Sequence, residues 1–256
     1  FGARAGFEYA ATKTIYDGNG DLGYYEKDGK TFEGISWDYA KDRIQIYCPQ
    51  SPIEYSHYKV MEGDGYAYLE RSGDASIQWK NDTDGHDFYA MYPSNEMFEG
   101  DSEVNVTLRK GVQMDRTTLT GTVPISQNPK EIKRVSKEGG KNKYIAVPNM
   151  DFAYMAAKTT GVTKYNKDGK PQSVSLTFVP IVTTVQIELS MASTSLIQPV
   201  SIGEIYIEGT NIAGSFSANL ADWDSTYPAC NLVGSGSNKI SVSTWQKDEE
   251  GNLIFA

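Results

Sequence analysis

Residues 173–191 carry the pattern that most restricts the fold. Val174, Leu176, Phe178 and Pro180 alternate with Ser173, Ser175, Thr177 and Val179. After a short break, Val185, Ile187, Leu189 and Met191 alternate with Thr184, Gln186, Glu188 and Ser190. A period of two places one set of side chains on a buried wall and the other toward water, so each run predicts a half-buried β-strand. Parallel strands are covered on both faces and read as continuous apolar runs, so these strands are expected in antiparallel sheets. Pro180 has no amide hydrogen for a ladder, and the first strand is expected to end or kink between Pro180 and Thr183.

Shorter runs repeat the theme. They are Ile44, Ile46 and Cys48; Phe88, Ala90 and Tyr92, closed by Pro93; Val104, Val106 and Leu108; Ile205 and Ile207; Phe216, Ala218 and Leu220; and Ile240 with Val242. Turn formers separate them, at Asp17-Gly18-Asn19-Gly20, Asp28-Gly29, Asp84-Gly85, Asp168-Gly169 and Glu250-Gly251-Asn252. No segment keeps a helical period over roughly a dozen residues. The expected fold is all-β, a sandwich from about Phe7 to Leu220. Val174, Leu176, Phe178, Val185, Ile187 and Leu189 are expected in its core.

Two stretches break the strand pattern. Residues 128–143 carry Lys130, Lys133, Arg134, Lys137, Lys141 and Lys143 around Gly139-Gly140. They read as a solvated loop between strands, the alternative being a basic patch for an acidic partner. Residues 222–237 combine Pro228, Gly234 and Gly236 and read as a connection between domains. On that reading residues 1–225 form an N-terminal sandwich domain, and 226–256 hold a linker and the first strands of a truncated second one. The chain starts at Phe1 rather than Met, which reads as a processed or trimmed N-terminus.

Charge excludes some partners. The 24 Lys and Arg residues are outnumbered by 33 Asp and Glu, giving a net charge of −9. Binding nucleic acid or an anionic membrane surface requires clustered cations, so neither is expected. No stretch approaches the ~18 apolar residues of a membrane span, and no signal-peptide pattern is present. Tyrosine is abundant, 17 residues against 9 Phe and 4 Trp. Tyr suits half-buried strands, and it also suits an aromatic platform for a ligand.

The candidate chemical sites are weak. Cys48 and Cys230 have no second Cys or His at ligand spacing and are read as unpaired structural residues. His57 and His86 sit in polar, turn-like stretches with no nucleophile motif nearby, so a catalytic triad is not expected. Asp17, Asn19 and Asp21 have calcium-loop spacing, but Leu22 stands where such a loop needs Gly. Residues 81–87, Asn-Asp-Thr-Asp-Gly-His-Asp, are rich in oxygen and could take an adventitious calcium ion. No segment marks a carboxylate pair for glycoside hydrolysis, a phosphate loop or a cofactor site. No enzymatic activity and no cofactor are expected.

In order along the chain stand Arg4-Ala5, Trp37, Asp42-Arg43-Ile44-Gln45-Ile46-Tyr47, Phe88-Tyr89-Ala90-Met91-Tyr92-Pro93 and Val123-Pro124-Ile125-Ser126-Gln127. Asp151-Phe152-Ala153-Tyr154-Met155-Ala156, the strand pair near 174–189, Ile205-Tyr206-Ile207-Glu208-Gly209 and Ala213-Gly214-Ser215-Phe216 follow. In this set the chain resembles the fimbrillin family of Bacteroidales, subunits of type V pili and related surface lipoproteins. The resemblance implies transthyretin-like Greek-key sandwich domains in tandem. It implies export as a lipoprotein to the outer membrane and cleavage after an Arg in an early loop, matched here by Arg4 followed by Ala5. It further implies assembly into a fimbrium by exchange of a strand between subunits, with host or bacterial surface ligands as further partners. The lipid-bearing Cys of that family has no counterpart here. The alternative is a monomeric surface module that binds carbohydrate, which two or more coplanar exposed aromatics in a pocket would favour.

Overall fold

The computed structural model describes side chains at residues 37, 39, 42–63, 67–72, 76–94, 112–127, 152–182, 204–224 and 227–242. It describes backbone alone in the strands at 4–5, 15–16, 24–27, 30–33, 35–36, 131–138, 141–147, 245–247 and 253–255. No α-helix occurs among the described residues, and two antiparallel sheets dominate. The expectation of an all-β sandwich holds.

The larger sheet has seven strands. They are β1 (Arg4–Ala5), β6 (Arg43–Tyr47), β7 (Tyr55–Glu62), β8 (Ala67–Ser72), β9 (His86–Tyr92), β14 (Met155–Val162) and β15 (Val179–Pro180), in the order β1-β8-β7-β6-β9-β14-β15. Strands β6, β7 and β8 follow one another, and β9 then returns to lie beside β6, which is a Greek-key order. The smaller sheet contains β10 (Val112–Asp115), β11 (Thr118–Val123), β16 (Ile205–Asn219) and β17 (Cys230–Leu232), with β18 (Ser237–Val242) also paired to β16. Separate two-stranded pairs are β2 (Ile15–Tyr16) with β5 (Ile35–Ser36), β3 (Tyr24–Lys27) with β4 (Lys30–Glu33), β12 (Glu131–Glu138) with β13 (Lys141–Val147), and β19 (Trp245–Lys247) with β20 (Leu253–Phe255).

Each face of the large sheet has its own core. Tyr47, Tyr89, Met91, Tyr154 and Ala156 point toward the small sheet and meet Val112, Met114, Leu119 and Phe216. Their strand neighbours Ile44, Ile46, Phe88, Ala90, Tyr92, Met155 and Ala157 point the other way. There they meet Trp37, Ile77 and the three residues Val174, Leu176 and Phe178. Trp37 sets its ring edge-on to Tyr92 at 5.3 Å and to Phe178 at 5.9 Å between centroids, a geometry that adds to simple burial. With both sides of the sheet covered, all five residues of β6 are buried, Arg43 and Gln45 included. The half-buried strand expected at Ile44–Cys48 is therefore buried on both sides.

The structure revises other expectations. Ser173–Phe178 does alternate, with Val174, Leu176 and Phe178 buried and the residues between them exposed. Yet only Val179 and Pro180 form a regular strand, opposite Ala156 and Met155. Ending at a proline suits an edge strand, where the missing amide would have faced no partner. The expected strands at Val104–Leu108 and Val185–Met191 lie outside the described residues. The runs at Ile205–Ile207 and Phe216–Ala218 belong to a single 15-residue strand, and Leu220 lies just beyond its end. A register shift between Glu208 and Ala213 divides its pairing with β18.

The lysine-rich stretch is not a loop. Glu131–Glu138 and Lys141–Val147 pair as a hairpin with Glu138 opposite Lys141, which leaves Gly139 and Gly140 to join them. Charged side chains do not by themselves prevent strand pairing, because the ladder is made by backbone groups. The two histidines are not in turns either. His57 lies within β7, and His86 opens β9 with no exposed surface. Finally, the boundary expected at 225/226 falls between β16 and β17, which are hydrogen-bonded partners in one sheet, Phe216 opposite Leu232.

Candidate functional site

Two places on the sandwich have the geometry to meet another molecule. One is the β1 edge of the large sheet, which contains the residues singled out for processing. Arg4 pairs with Tyr68 and Ala5 with Ala67, so both lie in a short antiparallel edge strand rather than in a loop. Strand β8 runs six residues, from Ala67 to Ser72, and β1 matches only its first two. Among the described residues no other strand pairs with β8 on that side. Backbone donors and acceptors left along a sheet edge are the groups that an added strand engages.

The other place is an open cleft where the β10–β11 hairpin meets the large sheet. Gln45 and His57 oppose one another in register on β6 and β7. Together with Gln113, Met114, Asp115, Thr118 and Thr120 of the β10–β11 hairpin they line an open cleft of about 640 Å³. The Gln45 amide donates to the Met114 carbonyl at 3.4 Å and ties the hairpin to the large sheet. His57 Nδ1 and Ser94 Oγ are 2.7 Å apart. The Tyr55 hydroxyl donates to the Asp115 carboxylate and accepts from the Arg116 amide, so it pins the hairpin's turn. Burial first, and then the nearby Asp115 and Glu54 carboxylates, push the Tyr55 phenol up, which keeps the donating proton in place.

The oxygen-rich segment at 81–87 is consumed by internal bonds. Asn81 Oδ1 accepts from the amides of Thr83 at 3.1 Å and Asp84 at 2.7 Å, while its Nδ2 donates to Asp84 Oδ2 at 2.6 Å. Asp82 forms an ion pair with Lys164 at 2.7 Å. Asp87 accepts from Gln50 Nε2 at 3.0 Å and from the Gly161 amide at 2.8 Å. His86 Nε2 accepts from the Lys80 amide at 3.0 Å, which leaves Nδ1 as the donor to the Asp84 carbonyl at 3.0 Å. Among the described residues no group of three His, Cys, Asp or Glu side chains could hold a metal ion. Asp17, Asn19 and Asp21 lie outside the described residues. Cys48 is buried, Cys230 is exposed, and both are free.

Sequence reasoning missed the cleft. A signal was present in Thr118, Thr120 and Thr122, which alternate with Leu119 and Gly121 and mark a strand with a polar face. The turn that closes the hairpin carries no glycine. Arg116 occupies it at φ 53°, so the usual hairpin dipeptide is absent.

No protein-family model matches the chain, and no curated protein matches it significantly. Solved structures do resemble it. One is a "putative cell adhesion protein" from Bacteroides uniformis, with a TM-score of 0.50, 16% identity, and coverage of 85% of this chain and 69% of that one. Another protein of the same description, from Bacteroides ovatus, aligns with a TM-score of 0.41 and 14% identity over 89% and 72% of the two chains. At such identity the first likeness establishes a shared fold. Among the described residues no helix is long and apolar enough to cross a membrane.

Proposed function

We propose that this chain is a structural and adhesive subunit of a cell-surface fimbria, held at the outer membrane and built from transthyretin-like sandwich units. In this reading it binds and assembles rather than catalyses. Subunits join when cleavage after Arg4 splits β1 and a neighbour's strand takes its place along β8. The observation that carries the reading is the two-residue pairing of β1 along a six-residue β8. So short a ladder is easily vacated, and a longer donated strand would gain the remaining backbone bonds and bury apolar side chains at alternate positions. The description of the Bacteroides uniformis protein, which shares the fold, supports the adhesive part.

The test compares wild type with Arg4→Ala after treatment with an Arg-specific protease, with size read by light scattering. Cleaved wild type is expected to form head-to-tail polymers, a contact that need not close into a ring, while Arg4→Ala stays monomeric. Monomeric wild type after confirmed cleavage at Arg4 would sink strand exchange.

A further inference from the structure

We infer that the lysine-rich hairpin β12–β13 docks on the acidic surface of a second copy of this chain. Of the 24 Lys and Arg residues, six fall within residues 130–147, where the acids are Glu131 and Glu138. The segment therefore has a net charge of +4 in a chain of −9, and all other residues together carry −13. Charge of the two signs is segregated, so every copy offers both a basic arm and an acidic body. The body is the complement of the arm, present at the same concentration. An arm-to-body contact is heterologous, and it leaves a further arm and a further body free for the next copy, as head-to-tail assembly requires.

Backbone pairing gives the arm a fixed charge spacing that a loop would lack. The register sets Lys133 against Ile145, Arg134 against Tyr144, Lys143 against Ser136, Lys137 against Asn142 and Lys141 against Glu138. No two of these cations stand directly opposite one another, so the ribbon avoids the cross-strand arrangement in which like charges destabilise a pair. Lys133, Lys141 and Lys143 belong to one face of the ribbon. Arg134 and Lys137 share the other, through the register shift between Arg134 and Ser136. Among the described residues neither strand pairs with a third. Lysine on such open edges also discourages aggregation by strand addition, but a single charge can do that, and it leaves the excess of one sign unexplained. The inference rests on the assembly reading only in supposing that copies meet, and the arm acts before any strand is exchanged.

The experiment uses the uncleaved chain, so its outcome does not depend on processing at Arg4. Self-association is read by light scattering and sedimentation at about 0.05 M and about 0.5 M salt. One variant removes charge from the arm, Lys133→Gln with Lys137→Gln and Lys141→Gln. The other removes it from the body, Lys80→Gln with Lys167→Gln and Lys170→Gln, three lysines that are exposed. Both variants have the same net charge and differ only in where it was removed, and circular dichroism checks that each is folded. Wild type and the body variant are expected to associate at low salt, the arm variant roughly tenfold more weakly, and the difference to vanish at high salt. Equal association of the two variants, no association of wild type at low salt, or association of wild type that does not fall with salt would each overturn the inference. Retention of wild type, but not of the arm variant, on an immobilised sulfated polysaccharide without self-association would assign the arm to a polyanion and overturn it as well. Polymerisation of the cleaved chain alongside any of these results would leave strand exchange standing.

Discussion

The two faces of the large sheet are covered in different ways. Toward the small sheet, Tyr47, Tyr89 and Met91 pack on strands whose own backbone groups are satisfied in a ladder, β11 with β16 above all. On the opposite face the cover is irregular chain, 76–79 and 173–178, supplying Ile77, Trp79, Val174, Leu176 and Phe178. Irregular backbone under a core still has amides and carbonyls to satisfy. Here side chains do it. The Ser51 hydroxyl accepts from the Gln78 amide at 2.9 Å and from the Ile53 amide at 3.2 Å. His86 holds the Lys80 amide, and the Thr159 hydroxyl donates to the Ser175 carbonyl. A sheet can therefore be capped by apolar residues without a second sheet, provided a few polar side chains act as pins.

The apolar anchors on the two faces carry the largest expected effects. Phe178→Ala removes a side chain that is 1% exposed and is expected to cost about 3–5 kcal/mol, and Leu119→Ala on the other face about 2–5 kcal/mol, both read by urea denaturation. Should Phe178→Ala cost under about 1 kcal/mol, the irregular segment is not a true cover. Ser51→Ala sharpens the contrast. It strands two amides and should cost about 1–3 kcal/mol. Cys48 lies in the same core, and burial pushes its thiol up, so it should resist labelling in the native wild type. In Ser51→Ala, Cys48 should label faster than global unfolding allows. Labelling at the global rate would show that the irregular cover opens only with the whole molecule. The smallest effect belongs to the hairpin over the cleft. Arg116→Gly relieves a left-handed residue at φ 53° and should raise stability by about 0.5 kcal/mol, the relief being partly offset by a more flexible unfolded chain.

Several parts of this arrangement were legible in the residues. Alternation correctly marked Val174, Leu176 and Phe178 as buried. It could not say what covers them, because period-two burial reports which side is dry and not whether the backbone is paired. Asp28-Gly29 correctly marked the break between two strands that pair, with Lys27 opposite Lys30. The hairpin closed by Arg116 and Thr117 escaped, since an arginine at positive φ leaves no mark in the sequence. Charge misled within 128–143, where lysines that lie on paired strands were read as solvated loop. The cleft was least legible of all. Gln45 and Met114 are joined by a hydrogen bond across 69 positions, and no local pattern encodes that approach.

The ladder between β11 and β16 also bears on the order in which the molecule is made. It sets Thr118 against Asn219, about a hundred residues later, whereas β6 and β7 pair through a short connection. Closing so long a loop is slow, and on a growing chain it waits for the later segment to be synthesised. Strands β6 to β9 are complete well before β16 exists. Through that interval Tyr47, Tyr89 and Met91 lack the Phe216 and Leu220 side chains that later shelter them. A nascent chain arrested before residue 204 is accordingly expected to bind a hydrophobic dye that the finished protein excludes. A dark arrested chain would mean that the β10–β11 hairpin alone is shelter enough.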